Sequence, residues 1–473
     1  MAFNSYQFAA FLLLAVVAYW NLCRSLKAKN ALLLGLSYFF YCCWDYRFLS
    51  LILISTFVDF YAGKKIHQTG EKKWLWFSLI TNLGILGFFK YFNFFVGSAV
   101  DLLNQIGFTV DHSTLNIILP VGISFYTFQT LSYSIDIYRK KAEPATNLLD
   151  FATYVSFFPQ LVAGPIERPS QLLVQIENDR TFQTDHLFEG FHHILLGLFK
   201  KVVIADNMAP IVNGIFAPGA ETLSGPENWL GLIAFALQIY CDFSGYSSIA
   251  QGSALLLGIR LSYNFHMPYF AASPSEFWKR WHVTLSQWLR DYVYIPLGGN
   301  RSGKFNEYRN LMLTMAIGGL WHGAGWNFVL WGIFHGLILC VYRFLAELFP
   351  GKGSPTNVAS KLMYVAAVLV MFMLTLIGWL FFRIENVSQI FSVLASLFTS
   401  FGWSALCSYA TKMILLVAGP LLVYEFFVYR RNDDHLMAFR WHWLLRGLLY
   451  LYFAVMMILF STEGSYEFIY FQF

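Results

Sequence analysis

The sequence predicts an all-α protein that crosses a membrane many times, and three observations lead there. Of its 473 residues, 57% are hydrophobic and 19% aromatic, while only 12% are charged, about half the usual charged share. Apolar runs recur from one end to the other with no soluble-domain stretch between them. Short basic loops divide those runs at the spacing that membrane topology requires. At about 20 residues per crossing there is room for about eleven or twelve spans, so residues 1–473 are expected to form one integral-membrane domain. The six cysteines, Cys23, Cys42, Cys43, Cys241, Cys340 and Cys407, show no C-x-x-C pairing and mostly sit in apolar runs. They predict buried small hydrophobes, with neither a zinc site nor a disulfide framework. Membrane lipids are the expected surroundings, and no nucleic-acid partner is expected.

The first apolar run, Phe8 to Trp20, has no basic segment before it and no small-residue cleavage site after it, so it is expected to be a retained span. Three early basic loops follow, Arg24-Lys27-Lys29, Lys64-Lys65-Lys72-Lys73 and Arg139-Lys140-Lys141, separated in each case by two apolar runs. If every second loop is cytoplasmic, the amino terminus starts outside. Between Phe151 and Pro165 a short apolar piece has Pro159 and Pro165 within it, too short to cross, which predicts a re-entrant or tilted segment. Spans near 187–205 and 229–258 come next. The second holds Gln238-Ile239-Tyr240-Cys241-Asp242-Phe243-Ser244-Gly245-Tyr246-Ser247-Ser248, and a mid-span aspartate costs about 2.5 to 3.5 kcal/mol on insertion scales. Asp242 is expected either to tie helices together or to line a polar cavity.

Residues 273–309 are the least membrane-like long stretch. They begin on a helix-start pattern: Ser273 as cap, Pro274 at the first helical position, Glu276 three residues after the cap. An amphipathic helix is expected, with Phe277, Trp281, Leu285 and Trp288 on one face and a polar, basic stripe of Lys279, His282, Ser286 and Arg290 on another. With Arg280, Arg301, Lys304 and Arg309 added, the segment reads as a cytoplasmic-side interfacial anchor or as an entrance for an anionic donor. From 311 the chain must enter and return by 342, which puts His322 at the inner turn. Ten helical residues rise about 15 Å, half of a hydrocarbon layer of about 30 Å. That turn, Gly318-Gly319-Leu320-Trp321-His322-Gly323-Ala324-Gly325-Trp326, sets one imidazole among glycines and indoles, and an ionisable group at such depth either marks a functional pathway or hydrogen-bonds between helices. Arg430-Arg431 then precedes a last apolar run, Trp443 to Phe460, which leaves the tail from Ser461 to Phe473 outside.

Five segments together resemble the membrane-bound O-acyltransferase (MBOAT) family, in particular its bacterial alginate O-acetyltransferase-like branch. They are SFFPQLVAGPIERP (156–169), QIYCDFSGYSSIAQG (238–252), EFWKRWHVTLSQWLRDYVYIPLGGNR (276–301), GGLWHGAGWNFVLWGIFHG (318–336) and GWLFFR (378–383). The resemblance implies membrane helices, with re-entrant and amphipathic pieces, around a central funnel in the MBOAT fold. It implies a functional histidine at His322 and a second at His282. It further implies transfer of an acetyl or other short acyl group from a cytoplasmic thioester, acetyl-CoA or another, towards an extracytoplasmic polysaccharide such as alginate, peptidoglycan or cellulose. The implied setting is the bacterial cytoplasmic (inner) membrane, with no bound cofactor, and with an SGNH-type esterase or transferase as the partner that makes the last transfer. One departure stands out: Ser248 occupies a position where the branch commonly has aspartate.

Acyl transfer from a thioester needs a base for the attacking hydroxyl, and an imidazole is suited to it. His322 is the candidate base. Trp321 and Trp326 are expected either to wall off water or merely to pack, and Lys279, Arg290 and Asp242 are the candidates for the donor path. The last six residues, Phe468-Ile469-Tyr470-Phe471-Gln472-Phe473, resemble the F-x-Y-x-x-F terminus of a small companion protein in teichoic-acid D-alanylation. That likeness implies Tyr470 as an acyl relay; on the residues alone it is equally an aromatic at the membrane interface. Two rivals stay open: D-alanyl or long-chain acyl transfer by the same fold, and a proton-coupled transporter. Against the transporter, the two halves show no repeated pair of broken helices.

Overall fold

A computed structural model describes all residues except 112–114, 116, 163, 218–222, 302, 350–357, 432–437, 462–467 and 470–473. The described residues form α-helices, with short 3₁₀ and π segments and no strands. The chain divides into two compact units, Met1–Ile194 with Ser247–Ser262, and Leu195–Tyr246 with Tyr263–Phe473. Among the described residues four helices are long and apolar enough to cross a membrane: Lys72–Gln105, Trp326–Leu348, Val358–Arg383 and Ala405–Arg430. Shorter apolar helices include Tyr6–Asn21 and Trp443–Leu459, where the first and last apolar runs were expected. The protein is a multi-pass, all-α membrane protein.

Many helices start on the residue types that satisfy free backbone N–H groups. Ser5, Ser25, Asn147, Ser273 and Ser404 each accept an N–H from the first turn, a contact worth about 1 kcal/mol. In the first unit, helices Leu49–Thr69, Lys72–Leu86 and Ile123–Tyr138 surround one buried carboxylate. Asp59, fully buried, accepts from Asn82 Nδ2 at 2.8 Å, from Ser134 Oγ at 3.1 Å and from Ser78 Oγ. A carboxylate in an apolar bundle is tolerable only when so surrounded. The proline-bounded piece is short, as expected: helix Leu148–Ser156 stops at Phe157 and a four-residue turn, Phe158–Leu161, carries Pro159.

The second unit holds the histidine hairpin. Helix Lys304–His322 ends at Gly323, and helix Trp326–Leu348 begins after Gly325. Its two arms touch backbone to backbone: a Cβ on Gly319 would lie 2.2 Å from the Phe328 carbonyl oxygen, and one on Gly332 would lie 2.4 Å from that of Met315. Small residues at such crossings let helices approach without a hydrophobic drive, which lipid does not supply. Gly319 of this motif and Gly332 beyond it therefore serve helix contact. They also set the position of His322 at the tip of the first arm.

The stretch from 273 departs from the expected single amphipathic helix. It is two seven-residue helices, Pro274–Arg280 and Val283–Leu289, broken at Trp281 and His282. His282 sits in the left-handed region, φ 42° and ψ 55°. Phe277, Trp281, Leu285 and Trp288 are buried as expected. The break turns His282 inward with them, so it is 0% exposed and does not belong to the outer stripe, while Lys279 and Arg290 remain exposed.

Candidate active site

The break at His282 is pinned by one residue, Asn264. Asn264 Oδ1 accepts the backbone N–H of Thr284 at 3.3 Å and its hydroxyl at 3.0 Å, while the Asn264 carbonyl accepts the N–H of Val283 at 3.0 Å. The same Oδ1 lies 3.1 Å from His282 Nδ1. A backbone N–H only donates, so the Asn264 atom it meets is an oxygen, and His282 Nδ1 must carry the proton. Nε2 is therefore the nitrogen with the lone pair. Burial pushes the imidazole down from 6.5 to about 3, because low polarity disfavours its charged form. At neutral pH His282 is a neutral, oriented ring that can accept a hydrogen bond at Nε2.

His322, 3% exposed, lies 6.4 Å from His282 between ring centroids. Trp321 packs beside both, 5.7 Å from His282 and 5.1 Å from His322. Trp331 at 4.9 Å and Phe382 at 5.4 Å complete the surround of His322. Trp379 lies behind Phe382 and Trp281. Two imidazoles thus sit in an aromatic enclosure built from three sources: the break after Trp281, the tip of the hairpin, and the end of helix Val358–Arg383. Rings of this kind exclude water while offering weakly polar edges and faces.

Trp326 and Trp331 are placed differently. Trp326 opens the second arm with 57% of its surface exposed, and Trp331, one and a half turns further on, closes the enclosure. Lys279 and Arg290 lie outside it, Arg290 paired with Asp291 at 2.7 Å. Asp242 is 2% exposed and is met by Lys201 Nζ at 2.8 Å and by the N–H of Ile469 at 2.7 Å. Tyr470 lies outside the described residues. Its neighbours Phe468 and Ile469 are buried: Phe468 packs 5.8 Å from Phe243, which in turn packs 4.7 Å from His282.

Sequence reasoning passed over several members. His335, 1% exposed, packs edge-on 4.7 Å from Trp331 as a third buried imidazole of the site; its signal was a second histidine in the same apolar hairpin. Adjacent Lys200 and Lys201 within an apolar run were equally visible. Lys200 pairs with Glu425 at 3.3 Å, and Lys201 with Asp206 and Asp242, each at 2.8 Å. Asn264 had no signal, since nothing in its neighbours marks a loop asparagine that holds a distant histidine.

Residues 144–382 match the profile described as MBOAT, membrane-bound O-acyltransferase family. The chain is 42% identical to a probable alginate O-acetylase AlgI of Azotobacter vinelandii over 80% of this chain and 74% of that protein. A probable alginate O-acetylase AlgI of Pseudomonas putida is 38% identical over 94% of this chain and 95% of its own length. A peptidoglycan O-acetyltransferase of Helicobacter pylori is 37% identical over 83% and 79%.

Proposed function

The chain belongs to the membrane-bound O-acyltransferase family, and from that premise we propose that it carries an acetyl group from a cytoplasmic thioester, acetyl-CoA, across the bacterial inner membrane for O-acetylation of an extracytoplasmic polysaccharide. The acceptor class follows the relatives, whose names give alginate and peptidoglycan. Tyr470 is the first acceptor and an SGNH-type partner makes the final transfer to sugar. Lys279, on the helix before His282, and Arg290, just after the helix that follows it, are exposed cations that attract the anionic donor.

The chemistry asks little beyond the two imidazoles. His322 takes the proton from the tyrosine hydroxyl as its oxygen attacks the thioester carbonyl. The C–S bond breaks, and the departing thiolate receives that proton, leaving a free thiol and an O-acyl tyrosine. His282, fixed by Asn264 as a neutral ring, packs beside His322 and leaves the single phenolic proton to it. A phenol ionises near pH 10, so its ester is a reactive acyl donor that can pass the group onward. Enclosure by Trp321, Trp331 and Phe382 keeps water from the thioester.

The observation that carries this reading is one line of contact: Phe468 of the terminal segment on Phe243, Phe243 on His282, and His282 facing His322. The test is mass spectrometry of the C-terminal peptide after purified protein has met acetyl-CoA. The expected result is one acetyl group on Tyr470 with one free thiol per acetyl. A D-alanyl or long-chain group on Tyr470 after exposure to mixed donors would revise the donor. Absence of both thiol release and modification would contradict the proposal.

A further inference from the structure

Three buried charges and one backbone amide meet where the terminal segment docks. Lys201, 1% exposed, lies 2.8 Å from both Asp206 and Asp242. One cation therefore faces two carboxylates, and Asp206 alone would balance it. The second oxygen of Asp242 accepts the N–H of Ile469 at 2.7 Å. A backbone donor to a carboxylate is about twice as strong as a neutral hydrogen bond. The arrangement also has a register. Phe243 and Tyr246, three apart on helix Gly225–Leu256 and so on neighbouring positions, receive the Phe468 ring at 5.8 and 4.4 Å. Gly245 on that helix comes so close to the preceding segment that a Cβ would lie 2.8 Å from the Gly197 carbonyl oxygen and 3.3 Å from the Lys201 nitrogen. That close approach is what brings Asp242 to Lys201.

We infer that the Asp242–Lys201 pair is a socket for the chain's own terminus, so that Asp242 and Lys201 are positioning residues which set the register of the tail whose next residue is Tyr470. Lys201 holds the carboxylate in place, Asp242 grips the main chain, and the two rings fix which residue is gripped. A slip of one residue would pull Phe468 out of its slot and the amide from the carboxylate together. The functional consequence rests on Tyr470 being the relay; the socket itself does not.

Two variants of the full chain in detergent test it, read by hydrogen exchange and by acyl transfer. In Asp242→Asn the charge balance with Lys201 and Asp206 becomes neutral, and if Oδ1 stays on Lys201 the amide NH₂ faces the Ile469 N–H, donor against donor. Ile469→Pro removes that N–H and leaves Asp242 and Lys201 untouched. In both, exchange of the amides in 461–473 should quicken by at least about tenfold, with the Lys304–His322 helix as protected as in the wild type. Unchanged tail exchange in either variant would overturn the socket, and so would equal loosening of the hairpin helix, which would make Asp242 general bundle support. A freed tail with acyl transfer lost upholds both the socket and the relay. A freed tail with transfer intact upholds the socket and removes Tyr470 from the reaction.

Discussion

His282 occupies a backbone conformation that few residues other than glycine adopt, at a cost of about 1 to 3 kcal/mol, and Asn264 repays it with bonds to three consecutive residues. Strain held in this way fixes one ring nitrogen as donor and the other as acceptor. It also makes a prediction about acid stability. With its value lowered from 6.5 to about 3, the folded chain binds fewer protons at His282 than the unfolded chain between those limits, so stability rises with pH across that window. The contribution is present above 6.5 and is lost as pH falls towards 3. His282→Gln should therefore flatten the fall in melting temperature between about pH 6 and pH 4; parallel curves for the two proteins would show that the ring is not held neutral. At this scale His322 was legible, because a histidine between glycines and tryptophans in an apolar run stands out against its surroundings. The inward turn of His282 was not, since periodicity assumes an unbroken helix and no local residue announces the break; the cause lies in Asn264, 18 positions earlier.

At the scale of elements, the hairpin was readable from Arg309, the apolar run and the glycines, and helix Lys304–His322 ends on the expected histidine. The cap at Ser273 was readable for the same reason: both are local patterns with local causes. The wall of the site was less so, because Trp326 and Trp331 are the same residue type five positions apart on one helix, and tertiary packing decides which face of that helix turns to His322. The two tryptophans should accordingly differ in effect. Trp331→Ala opens the enclosure, and acyl transfer should fall by about tenfold to a hundredfold while thiol release continues, since water then competes for the thioester. Trp326→Ala should keep thiol release and acyl transfer coupled as in the wild type. Measuring both products with each variant decides it, and uncoupling by Trp326→Ala instead would reverse the assignment.

Across the whole molecule, composition and basic-loop spacing were enough to read a multi-pass, all-α membrane protein, and motif order was enough to read the family. The division into helices was harder to read. Hydropathy suggested about eleven or twelve spans; among the described residues four helices have the length and apolarity to cross, and shorter apolar helices accompany them. Apolar runs are interrupted by features hydropathy does not weigh: Pro159 after Leu148–Ser156, the π segment Phe199–Ala205 that carries both buried lysines, and the left-handed break at His282. Those interruptions lie beside the buried polar groups, which is where a bundle with chemistry inside it departs from regular helix. The central claim is that the enclosed imidazole of His322 is the base for acyl transfer. It is tested most directly by thiol release from acetyl-CoA with purified His322→Ala, compared with wild type at matched melting temperature. The account predicts a loss of at least about a hundredfold, and equal rates would contradict it.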